Sequence, residues 1–326
     1  MRAPDFWSAG RNSLLAAALS PLGCIYGAIT HMQANRAPSW QAPVPVICVG
    51  NAVMGGAGKT QVTLDLIARF SKRGPVPHIL LRGYGGSLKG PVRVDPSNHR
   101  ADDVGDEALV LASHAPTWVG SDRALTAKAA CDAGAELLIM DDGFQNPALA
   151  RNINLLVIDA EYGFGNGHVF PAGPLRETPD SAFARADAVC IIGPISRVTL
   201  PHLPASLPRF DAGTRPDQNA PALAGKKVIA FAGIGRPEKF FRTLRDAGAV
   251  IVTAIPFADH HPYSAAELAA LVQTAAENDC ALVTTVKDHM RVPVEMQDRI
   301  TPYPVCLTWR DDAALQSFLL ERAGLQ

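Results

Sequence analysis

Residues 47–60 read Ile47-Cys-Val-Gly-Asn-Ala-Val-Met-Gly-Gly-Ala-Gly-Lys-Thr60. Apolar, mostly β-branched residues from Val44 to Val49 predict a buried strand. A glycine loop follows, then Lys59 and Thr60, then a helix-like run from Gln61 to Phe70. Strand, glycine loop, Lys-Thr and helix in this order suit a phosphate group bound at the loop. The glycines let the backbone N–H groups of Gly55, Gly56, Ala57 and Gly58 turn inward on an anion. The helix adds its positive N-terminal end. Lys59 is placed to reach β- and γ-phosphates, and the Thr60 hydroxyl to bind Mg²⁺. Val53 stands where the commonest form of this loop has its first glycine, so the pattern is the shorter Gly-Gly-x-Gly-Lys-Thr.

A chain of 326 residues suggests two domains. With 30 Lys+Arg against 31 Asp+Glu, no bulk charge draws the chain to nucleic acid. Six scattered cysteines form no C-x-x-C pair, which argues against zinc and disulfide frameworks and fits a reduced compartment.

Residues 12–35 contain no Asp, Glu, Lys or Arg. Leu15, Leu19, Leu22, Tyr26 and Ile29 recur at steps of four and three, which makes one apolar helical stripe. Ala16, Ser20, Gly23, Gly27 and Thr30 make the other side. Pro21 and the many alanines argue against a full membrane span. A signal peptide is a rival reading, opposed by the phosphate loop so soon after. Two readings stay open: a helix packed on the protein's own core, or one lying in a membrane interface.

Downstream, strands and helices alternate, which predicts a mostly parallel sheet covered on both faces. Pro77–Leu81 reads as a strand ending in Arg82-Gly-Tyr-Gly-Gly86, where a basic residue beside glycines suits an anion. Asp106 and Glu107 open a helix, either as simple dipole-favoured acids or as functional groups. A short strand at 116–119 precedes Ser121-Asp-Arg123 and another helix. Glu136-Leu-Leu-Ile-Met-Asp-Asp-Gly-Phe-Gln145 is a buried strand ending in Asp141 and Asp142, and acids at that place in phosphate-loop proteins bind Mg²⁺. Residues 211–225 read as a linker rich in Pro, Gly, Ala, Asp and Asn. A second α/β unit follows, with Phe257-Ala-Asp-His-His-Pro-Tyr263 after one of its strands. The two histidines beside an acid lack a third metal partner, so a polar loop or a catalytic histidine fits better.

Taken together, the motifs resemble the tetraacyldisaccharide 4'-kinase family, the lipid A 4'-kinases. The shared pieces are Gly50-Asn51, Gly55-Gly-x-Gly-Lys-Thr60, Arg82-Gly-Tyr-Gly-Gly86, Gly105-Asp-Glu107, Asp141-Asp-Gly-Phe-Gln145, Gly173-Pro-Leu-Arg-Glu177 and Phe257-x-Asp-His-His261. They occur in family order, and Asp-Asp-Gly-Phe-Gln is the most specific. Gln61 and Asn146 depart from the family's usual proline and histidine. The resemblance implies an α/β fold: a phosphate-loop NTPase-like domain with a mostly parallel sheet at 36–215, a smaller α/β domain at 216–326 closing over the active site, and an apolar helix at 1–35. It implies transfer of phosphate from ATP, with Mg²⁺, to the 4'-hydroxyl of a tetraacylated glucosamine disaccharide 1-phosphate, giving lipid IVA. The implied partners are that lipid A precursor and the cytoplasmic face of the bacterial inner membrane, with no nucleic acid and a monomeric enzyme.

The site expected on this basis has Asp106 as base, paired with His260 of the Asp-His-His motif, and Lys59 on the phosphates. Thr60, Glu107, Asp141 and Asp142 are the expected metal-binding groups. Arg82, Arg123, Gln145 and Arg176 join the loop residues at the nucleotide and substrate phosphates. Two rivals remain: a membrane-associated partitioning-type ATPase, which needs a lysine where Met54 stands, and a kinase for a soluble substrate, which leaves the apolar helix without a purpose.

Overall fold

The computed structural model describes residues 4–8, 13–194 and 203–325; Arg2 and Arg11, which flank the apolar helix in the sequence, lie outside them. Apolar β-branched runs form the strands of a large sheet: β1 (Val46–Gly50), β2 (Pro77–Leu81), β3 (Val92–Arg93), β4 (Thr117–Val119), β5 (Leu137–Asp141), β6 (Ile153–Asp159), β7 (Ala188–Ile192) and β8 (Arg209–Pro216). The smaller sheet holds β9 (Lys227–Ala232), β10 (Val250–Pro256), β11 (Ala281–Thr285) and β12 (Thr301–Tyr303), after which β13 (Val305–Trp309) ends the series.

The large sheet has nine strands in the order β13-β8-β7-β6-β1-β5-β2-β4-β3. From β8 to β4 every pairing is parallel, and only the edge strands β13 and β3 run antiparallel. β1 sits between β5 and β6, so the connections leave it in opposite directions, and the crevice at its carboxyl end is where such sheets bind ligands. The carboxyl ends of β1, β2, β4, β5 and β6 carry the phosphate loop, Arg82, the segment to Arg123, the Asp-Asp pair and Asp159. Strands buried on both faces have no polar side, which is why Val46–Gly50 and Leu137–Asp141 are buried throughout.

The second sheet is wholly parallel, in the order β10-β9-β11-β12. The segments after its strands carry Gly233–Arg236, Phe257–Tyr263 and Lys287–Arg291. They face the carboxyl edge of the large sheet.

Two boundaries differ from the sequence reading. Arg209–Pro216, which runs into the expected linker at 211–225, is strand β8. It buries only Phe210 and Ala212 on one face, so its polar outer face gives it a loop-like composition. The expected smaller domain at 216–326 also ends early. β13 returns to pair antiparallel with β8, Leu307 opposite Thr214. Leu307, Trp309, Leu315, Leu319 and Ala323 then join the core of the large unit. The smaller unit therefore lies between two strands of the large sheet, tied at both ends.

The helix Leu14–Ala34 packs by its small side. A Cβ on Gly23 would lie 2.7 Å from the Val169 carbonyl oxygen, so only glycine allows this approach. Tyr26 meets Phe170 edge to face at 5.4 Å. Leu14, Leu15, Leu22, Ile25, Ile29 and Met32 are 50–93% exposed. Of the expected stripe, Leu15, Leu22 and Ile29 therefore stay outside, while Leu19 and Tyr26 are half-buried.

Trp309→Ala should destabilise the large unit by about 3–5 kcal/mol, the usual loss for a buried tryptophan. Hydrogen exchange would check it: protection should fall in β7 and β8 while β9 and β11 keep theirs. Loss confined to the smaller sheet would contradict the shared core.

Candidate active site

The helix Lys59–Ser71 starts on Gly58, whose φ of +91° suits glycine. Val62, Leu66, Ile67 and Phe70 bury one face against the sheet and fix the helix start. Nothing lies within 4 Å of a Cβ built on Gly55 or Gly56, so both open onto the cleft. Lys59 is buried, with Nζ 3.6 Å from Asp142 Oδ1.

Gly50 lets the neighbouring loop come this close. A Cβ there would lie 2.3 Å from the Phe144 Cβ, so a larger residue would push Asp-Asp-Gly-Phe off the end of β1. Within that loop the adjacent acids have opposite surroundings. Asp142 accepts from Arg176 at 2.7 and 3.0 Å. Burial works to raise its pKa, but Lys59, Arg176 and Arg123 outweigh it and hold the carboxyl far below the usual range. Asp141 is buried, and neither of its carboxylate oxygens has a hydrogen-bond partner. Burial first, and then the Glu107 charge, push its pKa up against the pull of Lys59. Such an orphaned acid demands a physical explanation.

Arg176 also donates to Gln145 Oε1 at 3.2 Å, and Gln145 Nε2 donates to the Asn51 carbonyl at 2.8 Å and to Glu177 at 2.9 Å. Gln145 thus braces the loop. Arg123 is buried and donates to the Gly120 carbonyl at 2.8 Å; burial pushes its pKa down to about 10. Arg82 is exposed past the end of β2, with no ion-pair partner among the described residues. Thr60 lies in the first turn of the loop helix, half-buried beside Lys59.

The second unit completes the cleft from two sides. On one, Arg236 pairs with buried Asp159 at 2.7 Å and also donates to the Gly56 carbonyl. Lys239 pairs with the same Asp159 at 2.8 Å. On the other, His260 Nδ1 lies 3.1 Å from Asp106 Oδ2, and Arg291 Nη1 donates to that oxygen at 2.8 Å. Lys287 Nζ is 3.1 Å from Glu107 Oε1, 3.3 Å from His260 Nε2 and 4.0 Å from Asp106 Oδ1. Asp106 itself is buried and accepts the Glu107 N–H at 2.8 Å. Burial would raise its pKa; the His260 hydrogen bond and the Lys287 and Arg291 charges reverse this and hold it below the usual carboxylate range.

The adjacent histidines separate cleanly. His261 points away, to Glu267 at 3.1 Å, and stacks on Phe257 at 4.7 Å. His260 has a φ of +55° and its ring faces Tyr84, with centroids 5.6 Å apart. Glu107 is tied to Lys287 across the cleft. Among the described residues no three His, Cys, Asp or Glu side chains converge as a ready metal cluster. Mg²⁺ does not require one, because it is commonly held by one or two carboxylates plus substrate phosphates and water. The orphaned Asp141 carboxylate, next in the chain to Asp142, fits that donor set.

A phosphate loop, an orphaned acid at the neighbouring strand end and a carboxylate–imidazole pair closing from a second unit now stand together. A family model described as tetraacyldisaccharide-1-P 4'-kinase, LpxK, matches residues 15–324. The chain belongs to this family. It is 50% identical to the tetraacyldisaccharide 4'-kinase of Rhodospirillum centenum over 98% of this chain and 96% of that one. The tetraacyldisaccharide 4'-kinase of Gluconacetobacter diazotrophicus is 48% identical, over 98% and 97%. The crystal structure of LpxK from Aquifex aeolicus in complex with ATP has the same fold, with a TM-score of 0.76 at 24% identity, covering 95% of this chain and 99% of that chain.

Sequence reasoning missed Arg236, Lys287 and Arg291. Each follows a strand end of the second unit, the position where α/β sheets carry functional groups. That was the one signal available for them.

Arg291 is bound on three sides, to Asp106, to fully buried Asp288 and to the Gly233 carbonyl at 2.9 Å. Arg291→Met strands two buried carboxylates and should destabilise the protein by about 3–5 kcal/mol. Urea denaturation would measure it; a loss below about 1 kcal/mol would show that the guanidinium is not what balances these acids.

Proposed function

We propose that this chain transfers the γ-phosphoryl group of ATP to the 4'-hydroxyl of a tetraacylated glucosamine disaccharide 1-phosphate, giving lipid IVA. The observation that carries the reading is the Asp106–His260 pair, 3.1 Å apart and contributed by two units that meet beside the phosphate loop. A carboxylate held ionised there is the group that can take the proton of an attacking sugar hydroxyl.

Phosphoryl transfer is mainly positioning and charge neutralisation. The amides of Gly55, Gly56, Ala57 and Gly58 with Lys59 hold the β- and γ-phosphates. Arg123 and Arg176 present positive charge to the transferring group, and Arg82 is free to meet a substrate phosphate. Asp106 takes the 4'-hydroxyl proton, and His260 orients the carboxylate. Mg²⁺, when bound by Thr60 and Asp141 with Asp142 or Glu107 nearby, supplies neutralisation of the phosphate oxygens.

The exposed apolar face of Leu14–Ala34 supports a peripheral or monotopic seat in a membrane interface. A substrate with four acyl chains is delivered from such a surface, and the reading puts the enzyme on the cytoplasmic face of the inner membrane, where ATP is available.

Labelled phosphate transfer from ATP to the tetraacyl disaccharide 1-phosphate tests the activity. The intact protein should transfer label, and Lys59→Ala should lose at least about 10²-fold in kcat with its melting temperature kept. Transfer at the normal rate by Lys59→Ala would remove the loop from the reaction. The membrane seat is tested by replacing Leu22, Ile25 and Ile29 with serine. Each side chain is worth up to about 1.5–3 kcal/mol in the interface, so flotation with liposomes should be lost while ATP binding stays. Unchanged flotation would contradict the seat.

A further inference from the structure

We propose that Lys287 is a positioning residue of the phosphoryl transfer: it fixes His260 in the tautomer with its proton on Nδ1 and so keeps Asp106 a bare acceptor for the substrate hydroxyl. The proposal rests on the Asp106–His260 reading above and adds a residue to it.

The chemistry of the donors decides the tautomer. An ammonium has three N–H donors and no lone pair. In its 3.3 Å contact with His260 Nε2, Lys287 is therefore the donor and Nε2 the acceptor. A neutral ring that accepts at Nε2 carries its hydrogen on Nδ1, the atom 3.1 Å from Asp106 Oδ2. The opposite tautomer would set an N–H against the ammonium and a bare lone pair against the carboxylate. Both contacts would repel, and the Asp259 carboxylate, 3.9 Å from Nε2, is too far to offset them with a hydrogen bond.

Lys287 is held for this task. Thr285 caps its short helix, Val286–His289, with Oγ1 accepting the Asp288 N–H at 3.0 Å. Asp288 is fully buried and accepts the Gly233 N–H at 3.0 Å and the Tyr263 hydroxyl at 2.8 Å. A second Lys287 N–H meets Glu107 Oε1 at 3.1 Å, on the opposite unit. Burial works against the Lys287 charge, but Glu107, Asp106 and Asp259 outweigh it and hold the ammonium. Lys287 thus reaches across the cleft while its own backbone is locked.

Counting lone pairs shows what the tautomer achieves. Each carboxylate oxygen of Asp106 offers two. On Oδ2, His260 and Arg291 take both. On Oδ1, the Glu107 N–H takes one. One lone pair remains on Oδ1 for the hydroxyl proton. If His260 turned its bare nitrogen to Oδ2, the ring would no longer anchor the carboxylate, and the Oδ1 lone pair would lose its aim.

The test uses the full-length enzyme in detergent, labelled with ¹⁵N-histidine, with the His260 signals assigned by their loss in His260→Gln. The wild type should show Nδ1 protonated and Nε2 bare. In Lys287→Met the Nε2-protonated form should rise, and kcat should fall about ten- to a hundredfold, the range for a misaimed catalytic group, with KM for ATP unchanged. Lys287→Arg keeps a donor and should restore the wild-type tautomer and most of kcat. Lys287→Met added to His260→Gln should not slow the enzyme further. The proposal is overturned if the tautomer is the same in Lys287→Met as in the wild type, whatever the rate does. A tautomer that changes with kcat intact would overturn the catalytic role by a different route: the contact would be as described, and the Asp106–His260 base would be the part that failed.

Discussion

Asp106 is a buried carboxylate whose partners come almost entirely from another folding unit. Its own helix offers one backbone N–H; His260, Arg291 and, at longer range, Lys287 come from the second sheet. An isolated buried charge is prohibitive, so the second unit, in covering this acid, must also bring it cations. The closed cleft is thus written into the charge balance. Arg236 and Lys239, paired with Asp159, do the same work on the other side of the phosphate loop.

The architecture makes this economical. Both sheets are parallel around the cleft, so both present carboxyl-terminal strand ends, where loops can vary without disturbing the core. The smaller unit is inserted between β8 and β13, which are hydrogen-bonded neighbours. Two chain connections limit how it can swing, and they keep His260 and Lys287 within reach of Asp106 and Glu107. Within the large unit the Asp-Asp pair divides its labour by environment. Arg176 and Lys59 neutralise Asp142, whereas Asp141 is buried with no partner. A carboxylate in that state is suited to a cation that arrives with the nucleotide.

The phosphate loop and the Asp-Asp strand end were legible because each is a local pattern: a few residues in a row fix both the backbone shape and the chemistry. Asp106 and His260 lie 154 positions apart. Neither residue's neighbourhood in the chain names the other, and family resemblance brought them together. Lys287 and Arg291 had no such help, since a lysine or arginine after a strand looks like ordinary solvated charge. The return of β13 was illegible for a similar reason: Val305–Trp309 reads as a strand, but nothing local says which sheet it joins. In the N-terminal helix the stripe was visible and its direction was not. Small residues at Gly23 and Gly27 pack closely against Val169, leaving Leu15, Leu22 and Ile29 of the stripe outside.

The central claim is that Asp106 and His260 act as one unit. The most direct measurement is a double-mutant cycle on kcat with Asp106→Ala, His260→Ala and the double variant, each checked for its melting temperature. Each single change should lower kcat by about 10²–10⁴, and the double variant should be little slower than the slower single. Effects that multiply would show two independent residues, and a folded His260→Ala enzyme with normal kcat would contradict the account outright.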